Sequence, residues 1–388
     1  MLAHLVQGLS IWSLVLIAAV GAGGEPSATA ATRADWPLFR GDPCSTGVAR
    51  SELPAQLALL WSYPIKGGSF EATPAVVDGT VYVGDMRGQL HALDLKTGKP
   101  KWTVPAGAGF IASPAIRDGL IYLGDLDGVF RCLKTATGEL AWRHDTEAEI
   151  DSSANFFRDR VLVGSQDATL YCLDARTGKL VWKYAIADQI RCTPTIVEDR
   201  CFVAGCDGRL HVIDVNVGKE VAAVEIQSPT GVTPAAVGRR VYFGTEAGVF
   251  FCIDWKAAKE VWTYSGPSRG QPFRSCPAAT DRYVVFGGRN KRVHALDAET
   301  GKELWTFAAK QRVDASPVIA GRRVFVASGD GRLSALDLEN GKPVWEYEAG
   351  GGFAGSPAVA DGKLVIASDS GVVYCFGEHD TGRGRARH

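Results

Sequence analysis

Between residues 59 and 377 the chain consists of short apolar runs that alternate with polar positions and stop at Gly, Asp or Asn. Stretches with the 3.6-residue period of a helix are absent from this region. Pro74–Val104 shows the unit. Ala75-Val76-Val77 ends at Asp78-Gly79, a tight hairpin signal. Thr80–Val83 alternates toward Gly84-Asp85, a turn closes at Gly88, and Gln89–Leu93 forms a third run. Asp94–Lys99 turns again before the run that carries Trp102. The pattern predicts four short strands in each unit of about 40 residues.

The unit recurs in fixed phase. Trp61, Trp102, Trp142, Trp182, Ala222, Trp262, Trp305 and Trp345 are spaced 41, 40, 40, 40, 40, 43 and 40 residues apart. A second marker keeps the same phase: Thr73, Ser113, Ser153, Thr193, Thr233, Cys276, Ser316 and Ser356, each followed by Pro except Ser153, which precedes Ala154. Four strands per repeat is the signature of a propeller blade. The first Trp run, Leu59–Ile65, precedes any complete unit, and the last unit, Ser356–Phe376, lacks its own. Pairing these ends completes an eighth blade and removes an open sheet edge. The expected fold is therefore all-β, an eight-bladed β-propeller of four-stranded antiparallel blades closed by pairing of the N- and C-terminal strands.

Turn chemistry agrees. Gly98, Gly138, Gly178, Gly218, Gly301 and Gly341 recur where a hairpin loop needs positive φ. Asp94, Asp174, Asp214, Asp254, Asp297 and Asp337 stand three or four residues earlier, where a short carboxylate can accept from turn amides. Trp61, Trp102, Trp142, Trp182, Trp262, Trp305 and Trp345 are expected to dock between blades, which leaves Ala222 as an expected weak seam in blade 4.

Composition narrows the function. Forty-two Lys and Arg against 43 Asp and Glu give a net charge of −1, which argues against a nucleic-acid binder. A hydrophobic fraction of 46% excludes wholesale disorder. Leu9–Val20 is the one long apolar run, too short to span a bilayer. It is followed by Ala28-Thr29-Ala30, so residues 1–30 read as a cleaved export signal, although no Lys or Arg occurs before Arg33. Residues 31–58 are then an N-terminal extension, 59–377 the propeller, and 378–388 a disordered basic tail. No Cys lies near the cleavage site, so the expected product is exported, periplasmic or extracellular, soluble and not lipid-anchored. It has no transmembrane segment and is expected to be a monomer.

The recurring L-D-x-x-T-G-K-x-x-W followed by S-P-A-V-x-D-G-x-V-Y-V-G resembles the pyrroloquinoline quinone (PQQ)-type propeller repeat of the quinoprotein alcohol dehydrogenase-like superfamily, over almost all of Leu59–Phe376. Within it the chain is similar to the non-catalytic, BamB-like envelope propellers. Trp36-Pro37-x-Phe39-Arg40-Gly41 also resembles an opening of exported members. The resemblance implies envelope protein partners of unknown identity. The catalytic branch implies a disulfide between adjacent cysteines, a calcium site and a catalytic Asp; this chain has no Cys-Cys pair, so no catalytic or cofactor-binding residue is assigned. PQQ is suggested by the family name alone, and no cofactor or metal is expected.

The remaining motifs read as structure. Cys132, Cys172, Cys252 and Cys375 share a slot with Ala92, Val212, Ala295 and Ala335, so they are small buried residues. His91, His211 and His294 share a slot in blades 1, 4 and 6, too far apart for a common metal. Gly266–Gly270 matches G-x-S-x-G without the helix that a nucleophile elbow needs. Gly124–Gly128 resembles a calcium loop but sits in a hairpin slot.

Functional candidates come from slots that vary while the frame holds. One row is Phe70, Phe110, Ile150, Ile190, Thr230, Phe273, Val313 and Phe353; the next is Glu71, Ile111, Asp151, Arg191, Gly231, Arg274, Asp314 and Ala354. Strand alternation sends the two rows to opposite sides. Both precede the first strand of a blade, nearest the central channel. Glu71, Asp151, Arg191, Arg274 and Asp314 are expected to ring one channel mouth, and with Phe70, Phe110, Phe273 and Phe353 they are the candidate partner or ligand contacts. The expected function is a protein-binding scaffold in the cell envelope. The alternatives are a PQQ-dependent or other small-molecule-binding enzyme or sensor, and a carbohydrate-binding module.

Overall fold

A computed structural model describes Met1 and residues 34–266 and 270–379. The expected export signal, most of the basic tail and the centre of the G-x-S-x-G segment lie outside the described residues. Those residues contain thirty-two strands and no helix, arranged in eight four-stranded antiparallel sheets. Blades 1 to 7 follow chain order and span 75–105, 115–145, 155–185, 195–225, 235–264, 278–308 and 318–348. Blade 8 takes three strands from 358–377 and its outer strand from Ala58–Pro64. Trp61 there stands opposite Cys375 and Pro64 opposite Val372, so the termini close the ring as the repeat phase required.

Each blade lies between two others, so its middle strands are buried on both faces; Thr80–Gly84 is buried throughout. Only the outer strand alternates with solvent, as in Pro100–Pro105. Small side chains suit such double burial. Cys132, Cys172, Cys252 and Cys375 are all fully buried, and burial raises each thiol to about 12, which leaves them inert as nucleophiles. The nine cysteines are all free.

Three devices join neighbouring blades. At the centre, the amide of Thr73 donates to Ser113 Oγ, that of Ser113 to Ser153, Ser153 to Thr193 and Thr193 to Thr233. The circle continues through Cys276 Sγ, Ser316 and Ser356, and Ser356 returns it to Thr73 Oγ1 at 2.9 Å. Farther out, each residue of the apolar row inserts beside the preceding blade: a Cβ added to Gly84 would sit 2.6 Å from the Phe110 ring. At the rim, each Trp indole donates to a carbonyl of the next blade, Trp61 to Leu95 at 2.9 Å and, across the closure, Trp345 to Leu57 at 2.9 Å. The ring lies flat on a turn glycine. A Cβ on Gly98, whose φ is 71°, would come within 2.6 Å of Trp61.

Blade 4 breaks this last rule without a hollow seam. Ala222 replaces the Trp, and the glycine it would have covered is Ala258, held at φ 50°. Trp255 of blade 5 occupies the space, 7% exposed, its ring edge-on to Phe202 at 5.6 Å and its indole bonded to Gly238 O. The expected weak seam is therefore repacked from the other side.

The N-terminal extension is part of the fold. The innermost strand of a blade has an unpaired edge whose amides need acceptors. Residues 34–49 run past these edges in blade order. Val76 N–H donates to Trp36 O, Ile116 to Pro37, Ile196 to Pro43, Ala236 to Cys44, Ala279 to Thr46 and Ile319 to Gly47. In blade 3 the Asn155 side chain substitutes, taking the Phe156 amide and donating to Pro43 O. Asp361 N–H reaches Ala34 O from blade 8. Arg40 in this segment is fully buried and donates to Pro277 O and Pro317 O, with burial lowering its guanidinium to about 10.

The central circle and the Trp docking carry measurable energy. Ser113→Ala strands the buried Thr73 amide and is expected to lower stability by about 1–3 kcal/mol, whereas Ser113→Thr retains the acceptor and most of it. Trp305→Ala is expected to cost about 3–5 kcal/mol. Urea unfolding of the three variants checks both, and an unchanged midpoint for Ser113→Ala would remove the circle from the stability argument.

Candidate functional site

Two residues ahead of the central circle, and before each innermost strand, the chain brings one residue per blade to the axis. All eight members of the charged row line a single axial cavity of about 480 Å³. The Ser, Thr and Cys side chains of the circle line it deeper in, and Phe39 from the N-terminal extension also contributes. Glu71, Asp151, Arg191, Arg274 and Asp314 are thus brought together.

The other row goes the opposite way. Phe70, Phe110, Phe273 and Phe353 are 0, 0, 1 and 3% exposed. They pack in the hydrophobic clusters between blades, so the structure corrects their choice as contact residues: an aromatic buried between two sheets has no surface left for a ligand. The Trp residues are structural, as their indole bonds show.

Partners of the charged row come from a second variable slot that the repeat phase could have shown. It lies two residues beyond the end of each second strand and reads Met86, Leu126, Gln166, Cys206, Glu246, Arg289, Gly329 and Asp369. Three of its members, Gln166, Glu246 and Arg289, bond side chains of the charged row. Glu246 accepts three bonds from Arg274, at 2.8, 2.9 and 3.1 Å, and this pairing raises the guanidinium pKa. Arg289 clamps Asp314 through bonds of 3.0 and 3.2 Å, with Arg312 adding a contact of 3.2 Å. Gln166 donates to Asp151 Oδ2 at 2.9 Å and accepts from Arg191 at 3.2 Å. Arg191 also donates to Gln189 at 3.0 Å.

Asp151 is the strained member. Its Oδ1 is buried without a hydrogen-bond partner. Burial raises its carboxyl above the usual carboxylate range, against the opposing pull of Arg191. Cys206 also lines the cavity, with its thiol raised by burial.

The other motifs are local. Asp125 in the calcium-like loop bonds the amides of Asp127 and Val129 and the Arg131 side chain, as a hairpin turn does. His91 meets Asp85 at 3.0 Å, His211 meets Asp207 at 3.0 Å, and His294 meets Asn290 at 3.0 Å, each within its own blade. Among the described residues no helix is long and apolar enough to cross a membrane.

The profile of the family described as "Outer membrane protein assembly factor BamB" matches residues 54–264 and 260–376. The chain belongs to this family. A solved member, BamB from Moraxella catarrhalis, superposes with a TM-score of 0.71 at 19% identity, covering 86% of this chain and all of that one. The quinohemoprotein alcohol dehydrogenase of Comamonas testosteroni has a TM-score of 0.74 at 18% identity, covering 89% of this chain and 81% of that one. At such identities these likenesses speak for the fold. In sequence, that same dehydrogenase is 39% identical over 82 residues, and a 1-butanol dehydrogenase (cytochrome c) of Thauera butanivorans is 47% identical over 49 residues. These segments span 12% and 7% of the two enzymes' lengths.

A raised carboxyl fixes the sign of a pH effect. Protonated Asp151 suits the fold, so its contribution is full below the unfolded pKa of about 4 and is lost as pH rises through the higher folded value. Asp151→Asn is therefore expected to raise the urea midpoint at pH 7, and the gain is expected to vanish below about pH 4. A variant less stable than the parent at pH 7 would contradict this assignment.

Proposed function

We propose that the chain is an exported, non-catalytic propeller that holds protein partners in the cell envelope. The observation that carries the reading is the division of the repeat into an invariant frame and two variable slots that meet at one cavity mouth. A closed circle of hydrogen bonds keeps that rim rigid, and rigid presentation of mixed charge favours specific docking. Membership of the BamB family supports the envelope setting, and the export signal read from residues 1–30 agrees with it.

The cavity lining suits PQQ poorly. PQQ is a tricarboxylate with a flat ring system. The cavity offers Glu71, Asp151, Glu246 and Asp314 against Arg191 and Arg274, and Arg274 is already taken by Glu246. Phe39 is its single aromatic lining residue. A sugar-stacking role lacks support for a similar reason, because the exposed large apolar side chains among the described residues, Met1 apart, are aliphatic. The partial matches to alcohol dehydrogenases favour a second reading, an oxidoreductase, and PQQ titration followed by absorbance with an alcohol and an artificial electron acceptor tests it.

Cross-linked pull-down of the tagged mature chain from native envelope tests the first reading. The control carries alanine at Glu71, Arg191, Arg274 and Asp314. A specific partner captured by the parent and lost in the folded control is the expected result. Capture of no partner by the parent would overturn the scaffold role.

A further inference from the structure

Pairing within the cavity mouth is incomplete, and the remainder has a definite shape. Arg274 is neutralised by Glu246, and Asp314 by Arg289 and Arg312. Three charges stay without an ionic partner within 4 Å. Glu71 makes no hydrogen bond or ion pair among the described residues. Asp151 has one donor, the neutral Gln166, and its buried Oδ1 has none. Arg191 donates only to the amide oxygens of Gln189 and Gln166. All three line the cavity and come from blades 1, 3 and 4, on one side of the ring.

We propose that this side of the cavity binds a small zwitterion of the amino-acid or dipeptide class, its ammonium between Glu71 and Asp151 and its carboxylate on Arg191. An ammonium has three donors, and Asp151 Oδ1 is an acceptor that lacks one. Ile111 stands between the two carboxylates in blade order and lines the cavity, giving the apolar part of a ligand a surface to cover. Gln166 bonds both Asp151 and Arg191, which fixes the separation of the two poles.

Single-sign ligands fit less well. A dianion would face Glu71 and Asp151; a dication would face Arg191. The circle beneath supplies further donors. Ser113, Ser153 and Thr193 accept an amide through Oγ, and among the described residues none of these hydroxyls has an acceptor for its own hydrogen. Those hydrogens are free for a ligand carbonyl or carboxylate. The cavity, about 480 Å³, falls in the size range of small-molecule sites. This site shares Glu71 and Arg191 with the rim proposed for partner docking, and titration of the purified chain reads the ligand with no partner present.

Isothermal titration of the full chain with alanylalanine tests the proposal, with propylamine, propionate and N-acetylalanine amide as probes carrying one charge or none. The dipeptide is expected to bind at least about tenfold more tightly than any of the three, and Asp151→Asn and Arg191→Gln are each expected to weaken it about tenfold or more. Circular dichroism melting of each variant separates lost binding from lost fold. No binding of alanylalanine to the folded parent, binding no tighter than that of propylamine, or full affinity in both folded variants would overturn the proposal. Pull-down and titration succeed or fail separately, so neither result substitutes for the other.

Discussion

Eight backbone amides, each donating to the Ser, Thr or Cys side chain of the next blade, close a circle at the centre of the molecule, and the rest of the structure is hung on it. Six steps are 40 residues long; the one from Thr233 to Cys276 is 43 because of the insert after blade 5, and the closing step returns from Ser356 to Thr73. A circle of fixed chord length tolerates no change inside a blade, and the three extra residues fall between Tyr264, the end of blade 5, and Ala278, the start of blade 6. The circle also explains why Cys276 is admitted. Its sulfur still accepts the Thr233 amide, at 3.3 Å, although sulfur is a weak acceptor.

Periodicity made most of this legible. Trp spacing, the hydroxyl-Pro marker and the turn glycines are repeated observations of the same geometry, so eight copies outvote any local ambiguity. The charged row was legible for the same reason, since a position that varies inside a fixed frame stands out only once the frame is known. Its partners Gln166, Glu246 and Arg289 carried an equal signal in a neighbouring slot. The Phe row misled because aromatic residues beside a channel suggest contact, and only the packing shows Phe110 filling the space over Gly84.

What occurs once was hidden. Residues 34–49 have no internal repeat, yet their carbonyls and amides satisfy inner-strand edges around the ring. Any backbone carbonyl of suitable spacing can serve there, so the Trp36-Pro37-x-Phe39-Arg40-Gly41 opening marks the segment without revealing what its carbonyls do. The exchange at blade 4 was hidden for a related reason. Ala222 and Ala258 look like two independent lapses from the repeat, but each removes the other's partner, and Trp255 restores the volume from the adjacent blade. Compensation between slots is invisible when each slot is read alone.

The two variable slots also show how such a frame can acquire specificity. Arg191, Arg274 and Asp314 of the charged row are held at the side chain by the preceding blade's turn, and Asp151 by the turn of its own blade. Where the turn residue is charged, as with Glu246 or Arg289, the pair is closed and contributes shape to the rim. Where it is neutral, as with Gln166, the charge next to it stays available. Asp151 shows what availability costs: a carboxylate that is partly desolvated and short of a donor opposes folding. A frame stabilised elsewhere by indole docking and by the central circle can carry that opposition. A ligand donor that completes Asp151 then recovers the hydrogen bond that the fold leaves unmade.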